Sequence, residues 1–147
     1  GYSVMQGLYK VERWKTFDAD GWYHTGDKCH IDDDGYLFFH GRYGEMIKTS
    51  GANVSPAEVE AVIRSFDEVV DVAVLGAPDA KAGEIVCAAV VLKAGEKLTA
   101  EELRDRLKHQ LSSFKVPKRV EFMEFDEVPR TESGKIRKHL LSEKFSR

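Results

Sequence analysis

Apolar residues recur along the chain with two different periods, and the alternation between them predicts most of the elements. Val59, Val62, Ile63 and Phe66 fall at i, i+3, i+4 and i+7, which places four side chains on one stripe of a helix. Ser55-Pro56-Ala57-Glu58, just ahead of them, reads as a capping box with Pro at the first helical position. Leu103, Leu107 and Leu111 repeat the pattern behind a second box, Thr99-Ala100-Glu101-Glu102, while Arg104, Asp105, Arg106 and Lys108 fill the solvated face. Residues 69–75 and 85–92 are instead nearly unbroken apolar runs rich in β-branched side chains, as central strands covered on both faces should be. Only a short loop over 77–84, with Pro78, Asp79 and Gly83, separates them, so an antiparallel pair is expected.

The same reading extends outward from this centre. Lys115-Val116-Pro117 stops the second helix, and Val120, Phe122 and Phe125 then alternate with Glu121 and Glu124 as a third strand. Residues 28–31 and 36–40 read as a β-hairpin, and residues 46–49 as a short strand that turns at Ser50-Gly51-Ala52-Asn53. Asp18-Ala19-Asp20-Gly21 and Asp32-Asp33-Asp34-Gly35 suit turns, since Asp caps the local backbone and Gly takes positive φ. An EF-hand is not matched, because the twelfth position counted from His30 is Gly41 rather than Glu. The result is an α+β arrangement: a small domain with a three-stranded core sheet and flanking helices, preceded by a β-hairpin segment. Gly41-Arg42-Tyr43-Gly44-Glu45 breaks the strand pattern with two glycines, and we place a domain boundary there, dividing the chain into residues 1–43 and 44–147. Residues 1–14 mix glycine with apolar and aromatic positions and read as a strand end and a short helix that belong to something upstream. With neither Met at position 1 nor a secretory pattern, the start reads as a cut end.

Composition narrows the functional classes. A chain of 147 residues with 42% hydrophobic content can hold one modest domain and part of a neighbour. A net charge of -3, with no aromatic platform among the basic residues, argues against a nucleic-acid partner. No apolar run approaches the roughly 20 residues of a bilayer span. Cys29 and Cys87 have neither zinc-site nor disulfide-framework spacing, so reduced thiols, no bound structural metal and a cytoplasmic location are expected.

Two places carry candidate chemistry. Ser133-Gly134 suits a turn, and Ile136, Leu140 and Leu141 recur at helical spacing, so Lys135 is expected at a loop-to-helix junction with its ammonium free to meet an anion. A nucleotide-binding P-loop is excluded, because Pro129 stands where its first glycine would be. Asp27 follows Gly26 at the lip of the hairpin; its carboxylate either satisfies that turn or accepts from two vicinal hydroxyls, such as those of a ribose.

Three separated motifs then agree. Trp22-Tyr23-His24-Thr25-Gly26-Asp27, the stretch from Gly41-Arg42 through Ile47-Lys48-x-x-Gly51 to Ser55-Pro56-x-Glu58-Val59-Glu60, and Pro129-Arg130-Thr131-Glu132-Ser133-Gly134-Lys135-Ile136 resemble, in order and spacing, motifs of the adenylate-forming superfamily of acyl-CoA synthetases, peptide-synthetase adenylation domains and beetle luciferases. Met5-x-Gly7-x-Tyr9 is similar to the tail of a further motif. The resemblance covers nearly the whole chain and is to the C-terminal portion of such enzymes. It implies an acid-thiol ligase that uses ATP, Mg2+ and CoA, with a carboxylic acid, a fatty acid in particular, activated as an acyl-adenylate and passed to a thiol. It implies that Asp27 and Arg42 bind the nucleotide, that Lys135 is catalytic, that Tyr43, Gly44 and Glu45 form a hinge, and that Ser50 and Gly51 line the pantetheine channel. One departure is Gly44, where the family usually carries Asp or Lys at the pivot. The phosphate loop and acyl pocket are implied upstream, in a missing N-terminal domain, so the fragment alone is expected to be inactive. Alternatives are an adenylation domain that loads a carrier protein and a non-catalytic module that binds CoA or a partner protein.

Overall fold

The computed structural model describes residues 3–145. A four-residue helix α1 (Arg13–Thr16) is followed by a two-stranded antiparallel sheet, β1 (Asp27–Ile31) and β2 (Leu37–Arg42). A 3-10 turn, Tyr43–Glu45, leads into the short hairpin β3 (Ile47–Thr49) and β4 (Ala52–Val54), then helix α2 (Pro56–Arg64) and the long pair β5 (Val69–Asp79) and β6 (Gly83–Leu92). Helix α3 (Ala100–Lys108), strand β7 (Arg119–Phe122) and helix α4 (Lys138–Phe145) complete it. Both Asp turns form as expected. In each, one Asp oxygen accepts from backbone N–H groups at i+2 and i+4, and Gly21 and Gly35 take φ of +83° and +86°.

The expected three-stranded core is present as β5, β6 and β7, and β3–β4 extend it to a five-stranded sheet. The antiparallel β5–β6 pair is longer than its apolar runs, because Pro78 and Asp79 lie in strand and the connection shrinks to residues 80–82. Asp79 closes that turn by accepting from the N–H groups of Lys81 and Ala82. The third strand stops short of the expected one: Phe125 belongs to a 3-10 turn over Phe125–Glu127. β7 runs parallel to β6, so the chain crosses over through α3 to reach it.

Side chains alternate across β6 in the manner of a strand covered on both faces. Val86, Ala88 and Val90 join Val59, Ile63, Leu103 and Leu107 in one apolar core under α2 and α3. Ile85, Cys87, Ala89 and Val91 join Leu141 and Phe145 in a second core under α4. Burial pushes the Cys87 thiol up to about 11, which makes it a packing group rather than a nucleophile.

The outer edge of β5 is closed by side chains rather than by another strand. The Val74 N–H donates to Glu60 Oε1 at 2.8 Å, the Val72 carbonyl accepts from Arg64 at 3.3 Å, and the Val72 N–H donates to Asp71 at 2.8 Å. Glu60 and Arg64 are i,i+4 neighbours on α2, so one face of that helix serves two positions of the strand.

The two expected capping boxes differ in outcome. Thr99 and Glu102 form theirs at the start of α3, each side chain accepting from the other's backbone N–H. Thr99→Ala is therefore expected to lower unfolding stability by about 1 kcal/mol. A urea midpoint that does not move would show that the box contributes nothing. At α2 no side-chain cap forms. The Ser55 hydroxyl donates to the His40 carbonyl of β2, and Glu58 pairs with Lys115 Nζ at 2.6 Å. Both members of the box are taken by long-range partners.

Candidate functional site

Lys135 stands on a turn that its own neighbours close. The Thr131 N–H donates to the Lys135 carbonyl at 2.8 Å, the Gly134 N–H to the Thr131 carbonyl at 2.9 Å, and the Lys135 N–H to Thr131 Oγ1 at 3.1 Å. Arg130 and Ile136 bridge across its base, and Gly134 takes φ of +81°, a backbone state that favours glycine. The helix begins only at Lys138, so Lys135 lies on the turn ahead of it. Ile136 packs against the second core and Leu141 is fully buried, while Leu140 is exposed, so only part of the expected apolar stripe faces inward. The Lys135 side chain is exposed beside an open depression lined by Glu60, Arg64, Asp71, Arg130 and Lys138.

Asp27 and Arg42 come together at the open end of the first hairpin. They are register partners across β1 and β2, and Arg42 Nε donates to Asp27 Oδ1 at 3.0 Å. The Asp27 N–H also donates to Thr25 Oγ1, and Tyr43 closes back onto the Gly26 carbonyl at 2.9 Å. Asp27 is half-buried and Arg42 exposed, an arrangement that can present a carboxylate and a guanidinium to one polar ligand.

Of the two glycines that mark the expected joint, Gly41 takes a positive φ and Gly44 does not. Gly41 has φ of +130°, and a Cβ there would lie 3.0 Å from Ser55 Oγ. Gly44 sits in the 3-10 turn with open space around it and no positive φ.

Ser50 and Gly51 form the tip of the β3–β4 hairpin with φ of +49° and +81°. Positive φ at both central residues is the backbone of a type I′ turn, whose twist suits tight hairpins. The Ser50 N–H donates to the Ala82 carbonyl at 2.8 Å, which ties this tip to the β5–β6 turn. Nothing lies within 4 Å of a Cβ built at Gly51, so this face of the tip is open to an incoming group.

Sequence reasoning passed over the side chains that hold the lysine turn. Asp71 accepts from Arg130 Nη2 at 2.8 Å and from Arg64 at 3.4 Å, and Glu60 accepts from Lys138 Nζ at 2.7 Å. Burial opposes ionisation of Asp71, yet the hydrogen bonds from Arg130 and the Val72 N–H, with the Arg130 charge, hold its carboxyl below the usual range. The available signal was a lone acid inside an apolar strand run. None of Asp27, Arg42, Ser50 or Gly51 lines the depression beside Lys135. Among the described residues, no group of three or more His, Cys, Asp or Glu side chains converges to hold a metal ion, and no helix is long and apolar enough to cross a membrane.

Residues 58–135, more than half of the chain and ending on Lys135, match the family described as the AMP-binding enzyme C-terminal domain. The chain belongs to that family. It is 44% identical over 141 residues to the fatty acid–[acyl-carrier-protein] ligase ScoC of Streptomyces coeruleorubidus, a match covering 92% of this chain and 27% of that ligase. Its fold is similar to that of o-succinylbenzoate CoA synthetase from Bacillus subtilis in complex with an acyl-adenylate intermediate, with a TM-score of 0.86, 34% identity, and coverage of 96% of this chain and 28% of that one. It is also similar to ATP-bound MatB from Rhodopseudomonas palustris, with a TM-score of 0.80, 38% identity, and coverage of 89% and 26%. The chain thus spans about a quarter of the length of these relatives.

Proposed function

We propose that this chain is the C-terminal part of an ATP-dependent, AMP-forming acid-thiol ligase and that it delivers Lys135 to the first half-reaction. The observation that carries this reading is the exposed Lys135 on a closed turn at the end of the family match. In the first step a carboxylate oxygen attacks the α-phosphorus of ATP, and the bond to the departing pyrophosphate breaks. Negative charge gathers on the phosphoryl oxygens, and an ammonium brought into a water-poor site stabilises it more than water can. In the second step a thiol sulfur attacks the acyl carbonyl, loses its proton, and AMP departs with the bonding electrons.

Asp27 accepts from the ribose hydroxyls in this reading, and Arg42, already paired with it at 3.0 Å, orients that carboxylate and faces the nucleotide. Magnesium bound to the triphosphate would supply charge neutralisation there. Ser50 and Gly51 offer the open hairpin tip to the thiol's pantetheine arm, with CoA as acceptor. Residues 1–43 form the tail of a large adenylating domain, residues 44–147 the small domain, and Tyr43, Gly44 and Glu45 the hinge between them. The first hairpin supports that division, because Ile31, Tyr36, Leu37 and Phe39 are exposed apolar side chains awaiting a covering surface. In this reading the enzyme is cytoplasmic, with a fatty acid as the favoured carboxylate. A carrier protein is the second acceptor to consider, since the relative from Streptomyces is named for one.

The test is ATP–pyrophosphate exchange with a panel of carboxylic acids, followed by thioester formation on CoA or on a pantetheine-bearing carrier protein. The 147-residue chain alone is expected to give no exchange, and the polypeptide that includes the adenylating region to give carboxylate-dependent exchange. Equal rates from the two would overturn the reading.

A further inference from the structure

The turn that bears Lys135 is fastened to the rest of the fold on both sides of the lysine. Ahead of it, Arg130 is mostly buried, with 19% of its side chain exposed, and it makes three different contacts. Nη2 donates to Asp71 Oδ2 at 2.8 Å, Nη1 donates to the Gly134 carbonyl at 3.2 Å, and the guanidinium lies over the Phe125 ring at 4.3 Å from its centroid. Behind it, Lys138 reaches Glu60, a carboxylate only 13% exposed that also accepts the Val74 N–H. Both anchors end on the same edge, Asp71 within β5 and Glu60 on the helix that covers it.

An exposed lysine with a flexible stem gains little precision from its own side chain. Its ammonium can be repeatedly placed only if the backbone that carries it does not move. The bond from Arg130 to the Gly134 carbonyl acts on the peptide just before Lys135, and the other arm of the same guanidinium is fixed by the Asp71 carboxylate, which pairing holds ionised against the opposing effect of burial. From this geometry we infer that Arg130 and Lys138, acting through Asp71 and Glu60, are positioning residues for Lys135 in adenylate formation. The inference rests on the proposed role of Lys135. Arg130 is the stronger of the two, because it alone touches the turn and the sheet at once. Lysine at position 130 is a poor replacement, as a single ammonium lacks the forked donors that reach Asp71 and Gly134 together.

The test is carried out in the polypeptide that includes the adenylating region, with the two half-reactions assayed separately. Arg130→Ala and Asp71→Asn are each expected to slow adenylate formation by about 10- to 100-fold, the scale of a misplacement near 1 Å. Conversion of a supplied acyl-adenylate to thioester should stay within about 2-fold under the same logic. The Asp71→Asn/Arg130→Ala double variant should be no slower than the worse single one, as expected of residues acting through one contact. Asp71→Asn keeps the shape of the site, and it decides the matter if Arg130→Ala does not fold. Equal loss in both half-reactions would mean that the anchors support only the fold, and no loss in adenylation would mean that the turn holds itself; either overturns the inference. Lys135→Ala serves as reference. If it leaves adenylation intact, the role of Lys135 fails and the inference with it; if it disables adenylation while Arg130→Ala and Asp71→Asn do not, the inference alone fails.

Discussion

Lys135→Ala in the complete enzyme is expected to slow adenylate formation by about 10²- to 10³-fold, equivalent to about 2.7–4 kcal/mol of transition-state stabilisation for one lost charge-stabilising group. The same variant should still convert a supplied acyl-adenylate to thioester, because the centre attacked in that step is the acyl carbonyl and not the α-phosphorus that Lys135 is proposed to serve. Gly51→Leu should show the reverse. Its side chain would occupy the open face of the hairpin tip that the thiol is proposed to approach, far along the chain from the lysine turn. The φ of +81° adds a local cost of about 1–2 kcal/mol for any residue with a Cβ. Rapid-quench measurement of each half-reaction separates the two outcomes. Parallel loss of both activities in both variants would show that the two sites are not used in turn.

Leu107→Ala is expected to remove about 2–5 kcal/mol of unfolding stability. Leu107 is fully buried in the core beneath α2 and α3, with Leu103, Ile63 and Val90 in the same cluster. Truncation loses the transfer free energy of its methyl groups and leaves a cavity that a strand and two helices cannot easily close. For a domain whose total stability is of order 5–15 kcal/mol, that is a large fraction. Thermal denaturation should show a midpoint lowered by roughly 10 °C or more. A shift of only a degree or two would mean that this side of the sheet repacks freely.

What the sequence disclosed was what depends on local pattern. The β5–β6 pair, the α2 and α3 stripes as far as Ile63 and Leu107, both Asp turns and the Lys135 turn follow from periodicity and turn chemistry, which act within a few residues, whereas Phe66 and Leu111 lie past the helix ends. Long-range competition explains the differences. Ser55 is a good helix cap in isolation, but β2 brings the His40 carbonyl within reach of its hydroxyl. β3 and β4 join the main sheet through the single register pair Thr49–Gly83, which no pattern in either segment announces. Asp27 and Arg42 were each singled out by motif, whereas their ion pair required the hairpin register. The anchoring partners of Glu60 and Asp71 could not be read from the sequence because they lie far along the chain, Lys138 at the start of α4 and Arg130 on the loop before it.

The closed edge of β5 has a bearing on how this protein behaves when crowded. An eleven-residue, largely apolar strand at the border of a sheet is the kind of template on which a second copy can add its own strand and polymerise. Here Glu60 and Arg64 already occupy the backbone groups of Val74 and Val72, and Pro78 has no N–H to offer. Glu60 also holds Lys138 and Asp71 also holds Arg130, so the carboxylates that steady the lysine turn are the ones that deny the strand to strangers. Protection of the strand edge and the proposed alignment of Lys135 thereby depend on the same two acids, so a substitution at either one acts on both.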